Sequence, residues 1–82
     1  MKYDMEIKEE AIAALRELAG GTRREIGYRL HLLQQDFSGD VKKLKGSKKE
    51  YRLRVGGHRV LFELDGKRIV VYRIAQRKDI YR

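Results

Sequence analysis

The chain has 82 residues, no cysteine and a formal net charge of +8, from 20 Lys and Arg against 12 Asp and Glu. This length predicts a single domain over residues 1–82, and the lack of cysteine excludes disulfides and thiolate-bound metals. No apolar run reaches the length of a membrane span, and Met1 leads into charged residues rather than a signal peptide. A cytoplasmic protein without a membrane partner is therefore expected.

The positive charge is confined to the second half of the chain. Residues 1–41 carry 6 basic and 8 acidic side chains, whereas residues 42–82 carry 14 basic and 4 acidic ones. A charge that served only solubility would not need this segregation. A concentrated positive field attracts polyanions and speeds association with them, so the distribution favours a polyanionic partner.

The first half of the chain predicts one strand followed by a helix. Residues 1–7 alternate apolar and charged side chains, which is the period of a half-buried strand. Residues 9–19 repeat apolar side chains at helical spacing. The glycine pair at 20–21 is expected to end this helix, because glycine adopts the left-handed conformation without steric cost.

A second helix is predicted to begin at Thr22. Thr22 and Glu25 match the T-x-x-E pattern of a capping box, in which each side chain bonds a free backbone N–H of the first turn. Two helices joined by so few residues imply an antiparallel helical hairpin. The buried side of this helix is expected to hold Ile26, Leu30, Leu33 and Phe37.

The second half of the chain predicts a loop and then three strands. Residues 38–49 are polar, basic and rich in glycine, which is typical of a loop. The strand patterns are separated by Gly56-Gly57 and Asp65-Gly66, dipeptides that favour tight hairpins. The last strand is nearly continuous in apolar residues and is predicted to be central. The three predicted strands are Glu50–Val55, His58–Leu64 and Arg68–Ile74.

The order β-α-α-β-β-β predicts an α+β fold, in which the helical hairpin packs on one face of a mostly antiparallel four-stranded sheet. Arg52 and Arg54 alternate with apolar side chains, and Arg59 falls on the same side across the hairpin. Three arginines on one open face suit a phosphate chain, because guanidinium forks match phosphate oxygens. Open sheet faces are ordinarily polar, however, so the pattern alone fits a solvated surface equally well.

Three stretches of the second half resemble the RelE branch of the RelE/ParE toxin superfamily. They are LKG at 44–46, YRLRVGGHRVLFEL at 51–64 and VYRIAQRKDIYR at 71–82, and the order of elements agrees over the whole chain. The resemblance implies the toxin of a type II toxin–antitoxin module, a metal-independent endoribonuclease without a cofactor. Such enzymes cleave mRNA in the ribosomal A site, by attack of the 2′-hydroxyl on the adjacent phosphate, and a cognate antitoxin silences them.

The resemblance also implies roles for individual residues. Arg52 and Arg54 match basic strand residues that orient and neutralise the RNA backbone, and Arg59 would stabilise the pentavalent phosphate. Arg77 would bind phosphate or assist the leaving group, and Tyr81 would stack on a base or take part in proton transfer. Basic side chains expected to attract RNA at long range are Lys42, Lys43, Lys45, Lys48, Lys49 and Lys78.

Two positions depart from the family pattern. Many relatives carry histidine where this chain has Gln76, and His58 occupies a position often held by tyrosine, so His58 is the candidate replacement acid or base. A lone histidine beside a glycine turn is otherwise an exposed turn residue. Two other functions stay open: a ParE-like inhibitor of DNA gyrase without nuclease activity, and a non-catalytic RNA-binding module that uses the same basic sheet.

Overall fold

The computed structural model describes residues 2–80, in which the first half of the chain supplies a strand and two helices and the second half is mostly antiparallel sheet. The α+β class predicted from the sequence is confirmed. In chain order the elements are β1 (Asp4–Ile7), α1 (Glu9–Glu17), α2 (Gly20–Asp36), β2 (Asp40–Lys43), β3 (Glu50–Val55), β4 (His58–Asp65), β5 (Arg68–Gln76) and α3 (Arg77–Ile80).

The sheet has five strands in the order β1-β5-β4-β3-β2, so the predicted four-stranded layout is wrong. The additional strand is β2, within the segment that was predicted to be a loop, and it pairs antiparallel with β3. Val41 is the one apolar residue of this four-residue strand, so its sequence offers no alternation from which a strand could be predicted. β1 runs parallel to β5, while the other neighbours are antiparallel.

The central strand is β4, not β5 as the apolar run predicted. β5 lies between β1 and β4 and packs against α1, and its residues Ile69, Val71 and Ile74 belong to the hydrophobic core. The β4–β5 ladder changes register between Leu61 and Phe62, where Leu61 faces Arg73 and Phe62 faces Val71. Tyr72 is the extra residue of this bulge, and such an insertion redirects side chains.

The junction between the helices differs from the prediction. α1 ends at Glu17 and the next residue, Leu18, is already extended, so no left-handed glycine is needed there. The glycine pair lies in the first turn of α2, whose N-cap is Ala19 with no side-chain cap hydrogen bond. Thr22 therefore lies inside the helix, and the predicted capping box is wrong. Ala19 itself has a non-helical backbone, at φ −58° and ψ 148°, and the helix begins at the next residue.

One hydrophobic core fills the space between the helices and the sheet, with α1 against β5 and α2 against β3. Ile26, Leu30 and Leu33 are buried, as the helical spacing predicted, and Phe37 is partly buried. The Phe37 ring packs edge-on against Phe62 at a centroid distance of 5.8 Å. Such contacts hold the helices against one face of the sheet. The other face is not covered by helices.

No helix in the described part of the chain, residues 2–80, has both the length and the apolar character needed to cross a membrane.

Candidate functional site

Arg52, Arg54 and Arg59 lie on the sheet face that the helices leave open, as the alternation predicted. Arg54 stands directly opposite Arg59 in the β3–β4 ladder. Their strand neighbours Leu53 and Val55 are buried in the core on the other face. The two-residue period of the strands therefore separates an apolar side from a cationic side.

An open cleft of about 570 Å³ collects these arginines with other basic residues. It is bounded by β3 and β4, by β2 and the loop after it, and by the start of α3. The backbone N–H of Arg77 donates a hydrogen bond to the Gly57 carbonyl at 3.0 Å, which ties α3 to the β3–β4 turn. The residues that line the cleft are Lys42, Lys43, Leu44, Lys45, Arg52, Arg54, Arg59 and Arg77. We name this region the arginine cleft.

Arg59 is fixed by the hairpin turn that precedes it. Only 6% of the residue is exposed, and its Nη1 donates hydrogen bonds to the carbonyls of Gly56 at 3.1 Å and His58 at 2.9 Å. Among residues 2–80, no carboxylate lies within ion-pairing distance of its guanidinium. Arg59 is thus held in place by neutral groups and keeps its full charge for an anion in the cleft.

Asp40 contacts two of the four arginines, a feature that the sequence did not reveal. Its Oδ2 lies 2.5 Å from Nε of Arg54, and its Oδ1 lies 3.5 Å from Nη1 of Arg52. The same Arg52 nitrogen donates to the Asp40 backbone carbonyl at 3.4 Å. Asp40 stands opposite Arg54 in the β2–β3 ladder, so only knowledge of that strand pairing would have placed it here.

The predicted RNA-binding lysines do not all lie in the arginine cleft. Lys43 and Lys45 line the arginine cleft, whereas Lys78 lines a neighbouring cleft of about 490 Å³ together with Gly57, Gln76 and Arg77. Lys48 is exposed in the loop before β3, outside both clefts. Lys49 forms an ion pair with Glu63 at 3.6 Å. Arg77 lines both clefts and is the residue that joins them.

The structure does not bring His58 into the arginine cleft. His58 alternates with Arg59 and lies on the helix-facing side of β4, where its Nε2 is buried without a hydrogen-bond partner in the described residues. Its ladder partner is Gln76, the other position that departs from the family pattern described above. Tyr81, to which the resemblance assigned a role, lies outside the described residues.

The opposite end of the open face is acidic. The Tyr72 hydroxyl donates a 2.7 Å hydrogen bond to Oε1 of Glu50, which lowers the pKa of Glu50 together with a smaller contribution from Ser47. Burial, followed by the hydrogen bond with Glu50, raises the pKa of Tyr72. Glu63 stands opposite Glu50 in the β3–β4 ladder. Basic side chains thus line the arginine cleft at one end of this face, while two glutamates lie at the other end.

Within residues 2–80, no three histidine or acidic side chains are grouped so that they could hold a metal ion. The chemistry that the arginine cleft offers is that of fixed positive charge: guanidinium N–H groups that bind phosphate oxygens and stabilise negative charge that develops on them.

Known proteins are similar to this chain in both sequence and fold. The profile of a family described as ParE toxin of type II toxin-antitoxin system, parDE, matches residues 5–81. Toxin RelE3 of Methanocaldococcus jannaschii is 44% identical over 46 residues, which are 56% of this chain and 52% of that protein. The aligned part thus spans about half the length of this curated relative.

Two crystal structures resemble the whole fold. One is a RelB–RelE antitoxin–toxin complex from Methanococcus jannaschii, 29% identical with a TM-score of 0.79, covering 92% of this chain and 93% of that one. The other is a RelE–RelB complex from Pyrococcus horikoshii OT3, 26% identical with a TM-score of 0.80, covering 94% of this chain and 97% of that one.

The fold and the arginine cleft thus define a small toxin of the RelE/ParE type. Because the family profile covers nearly the entire chain, this protein belongs to the ParE toxin family of type II toxin–antitoxin systems, within the RelE/ParE superfamily. The resemblance described from the sequence is confirmed.

Proposed function

We propose that this toxin is a metal-independent endoribonuclease that cleaves mRNA on the ribosome. The observation that carries the proposal is the convergence of Arg52, Arg54, Arg59 and Arg77 on one cleft, although Arg77 is distant from the others in sequence. A solvated basic surface does not require four guanidiniums from three different elements to converge. Binding of a phosphodiester accounts for this convergence, because both its ground state and its transition state carry negative charge on several oxygens.

In the proposed reaction the 2′-oxygen of one nucleotide attacks the adjacent phosphorus. A 2′-O–P bond forms, the P–5′-O bond breaks, and the products are a 2′,3′-cyclic phosphate and a 5′-hydroxyl. Arg52 and Arg54 hold the backbone in line, and the fixed guanidinium of Arg59 neutralises the additional charge on the pentavalent phosphate. Arg77 binds the phosphate or the 5′-oxygen that leaves.

Two protons move in this reaction, one from the 2′-hydroxyl and one to the 5′-oxygen. In residues 2–80, neither a histidine nor a carboxylate lines the arginine cleft. The described part of the chain therefore contributes position and charge rather than an ordinary general base, which favours a reaction that takes place on the ribosome.

The proposal includes a cognate antitoxin as the natural partner. The two solved complexes named above each hold a RelE protein together with RelB. For this chain, acidic segments of an antitoxin would cover the basic face, while apolar segments would cover the helices. Such a partner would block the arginine cleft sterically and by charge.

A second candidate function is inhibition of DNA gyrase without nuclease activity. It is favoured by the matched family, which is described as the ParE toxin, and by the absence of a histidine from the described lining of the cleft. The convergence of four arginines favours the endoribonuclease instead, since binding to a protein target does not require that arrangement.

The test is to express the protein and an Arg59→Ala variant in bacteria and to map the 5′ ends of mRNA. Codon-phased ends within translated frames that disappear in the variant would support the endoribonuclease. Arg68→Ala serves as a control, because it removes an arginine that pairs with Glu6 away from the cleft. Growth arrest with DNA damage signalling and no new ends would instead support gyrase inhibition.

A further inference from the structure

Asp40 contacts two of the arginines that line the arginine cleft. Each of its carboxylate oxygens contacts a different arginine, Oδ2 reaching Nε of Arg54 and Oδ1 reaching Nη1 of Arg52. Asp40 of β2 therefore links two arginines of the adjacent strand, β3. The arrangement differs from a simple surface ion pair in that one carboxylate is shared by two arginines, of which the side chain of Arg52 is only 16% exposed.

The backbone before Asp40 is shaped for this placement. Gly39 has φ +133°, a conformation that L side chains rarely adopt. A Cβ at this position would also lie 2.8 Å from Cδ1 of Leu53, a buried core residue. Only glycine therefore lets the chain pass close over Leu53 and enter β2 with Asp40 opposite Arg54.

We propose that Asp40 is a positioning residue for RNA cleavage. It holds the guanidiniums of Arg52 and Arg54 in the orientation in which they bind the scissile region of the RNA. This inference rests on the proposed endoribonuclease function and identifies a residue that acts through the two arginines rather than on the substrate.

The hydrogen-bonding capacity of the arginines is compatible with this role. A guanidinium has five N–H donors, and Asp40 engages the Nε side of Arg54 and one terminal nitrogen of Arg52. Among residues 2–80 the other terminal N–H groups of both guanidiniums make no further hydrogen bond, so they can bind phosphate oxygens, and both residues line the cleft. Without Asp40, the long side chain of Arg54 would lose its anchor and sample many rotamers.

The same carboxylate also opposes RNA binding through its charge. Asp40 places a negative charge beside the guanidiniums that attract the phosphate backbone, so its removal increases the net positive charge of the site. Affinity and catalysis should therefore respond in opposite directions. A residue that merely stabilised the fold would lower both.

The test compares three variants in single-turnover cleavage on mRNA-programmed ribosomes and in binding to an RNA oligonucleotide blocked by 2′-O-methyl groups. Asp40→Asn removes the charge, and Asp40→Glu keeps the charge but displaces the carboxylate. Glu6→Gln is the matched control: Glu6 also bridges two cations, Lys8 at 3.2 Å and Arg68 at 3.4 Å, and is 41% exposed against 43% for Asp40.

For Asp40→Asn we expect cleavage that is slower by up to about a hundredfold and RNA binding that is tighter by about fivefold at low salt. Asp40→Glu should cleave slowly with nearly unchanged RNA affinity, which separates position from charge. Glu6→Gln should match the unsubstituted protein in both assays. Cleavage by Asp40→Asn at the original rate or faster would overturn the proposal, as would a parallel loss of RNA affinity.

A second measurement does not depend on cleavage. In the NMR spectrum of the free protein, the Nε–H of Arg54 should exchange slowly with water, and this protection should disappear in Asp40→Asn. If the original protein does not cleave mRNA at all, the proposed function fails. Loss of the Arg54 protection would then still show that Asp40 fixes the guanidinium, whereas unchanged protection would overturn the inference itself.

Discussion

Arg54 on β3 and Arg59 on β4 stand directly opposite each other in an antiparallel ladder. Like charges in this relationship destabilise a sheet by up to about 1 kcal/mol. Asp40 compensates the charge of Arg54, while the partners of the Arg59 guanidinium within residues 2–80 are backbone carbonyls. Departures of this kind from the rules of stable sheets concentrate at functional sites. An anion bound between the two guanidiniums would relieve the remaining repulsion, and the proposed RNA substrate supplies such an anion.

The first prediction concerns stabilisation by phosphate. Inorganic phosphate that bound this pair would favour the folded state by about 1.4 kcal/mol at ten times its Kd. Because phosphate also stabilises proteins by exclusion from their surface, the quantity to measure is the phosphate-dependent rise in Tm of the original protein minus that of Arg54→Ala. We expect a positive difference that saturates. Identical rises in Tm would show that no phosphate binds between the arginines.

The second prediction concerns the salt dependence of RNA binding. Arg54→Ala should reduce the slope of log K against log salt by about 0.7, the change expected when one phosphate contact to a single strand is lost. Arg68→Ala is a matched control, because both side chains are 54% exposed and both pair with a carboxylate. The control should leave the slope unchanged. An equal change in the two variants would mean that general charge, not the cleft, sets the affinity.

The sequence predicted the arginine face well, because alternation over a six-residue strand leaves only one arrangement once the core side is known. It could not predict β2 or the role of Asp40. Val41 is the single apolar residue of that strand, and its pairing with Leu53 of β3 is a tertiary contact rather than a local pattern. The site depends on that pairing, and so the carboxylate beside the arginines was missed.

Local signals at the helix junction were misleading for a related reason. The pattern of Thr22 and Glu25 fits a capping box, yet α2 starts two residues earlier, at Gly20. A cap contributes only about 1 kcal/mol, so a local capping pattern does not by itself decide where a helix begins. The longer elements were thus predictable from local patterns, whereas β2 and the boundaries of the helices depend on packing.

The third prediction concerns the pH dependence of stability, through Tyr72 and Glu50. The pKa of Glu50 is lowered from 4.5, so the pair stabilises the fold above that pH and the effect is lost as the pH falls through the lowered pKa. The pKa of Tyr72 is raised from 10.0, so its contribution is present below pH 10.0 and is lost as the pH rises through the raised value. Tyr72→Phe removes the main cause of the shift in Glu50.

Tyr72→Phe should therefore have a lower Tm than the original protein at neutral pH, and its Tm should fall less steeply between about pH 5 and pH 3. Thermal unfolding followed by circular dichroism across this range measures both effects. Tyr28→Phe is the control, because Tyr28 is 58% exposed on α2. A Tyr72→Phe curve parallel to that of the original protein would contradict the assigned hydrogen bond.

The fourth prediction compares alanine substitutions at two glycines. Gly39→Ala should destabilise the fold by about 1–3 kcal/mol, because of strain at a positive φ and the 2.8 Å approach to Leu53. Gly27→Ala should stabilise it by about 1 kcal/mol, because Gly27 lies within α2 with nothing within 4 Å of a Cβ. Urea unfolding with a common m-value measures both. If both substitutions changed the free energy of unfolding in the same direction, this interpretation of the two backbone positions would be wrong.

The last prediction concerns Gln76, one of the two positions that depart from the family pattern. Gln76 pairs with His58 in the β4–β5 ladder and lines the neighbouring cleft rather than the arginine cleft. A histidine there would not stand among Arg54 and Arg59, so Gln76→His should leave the single-turnover cleavage rate unchanged. Gln76→Leu, which lacks a titratable group, is the control for changes in shape. A gain of about a hundredfold in Gln76→His alone would instead show that proton transfer limits the reaction, and that RNA extends over Arg77 into the neighbouring cleft.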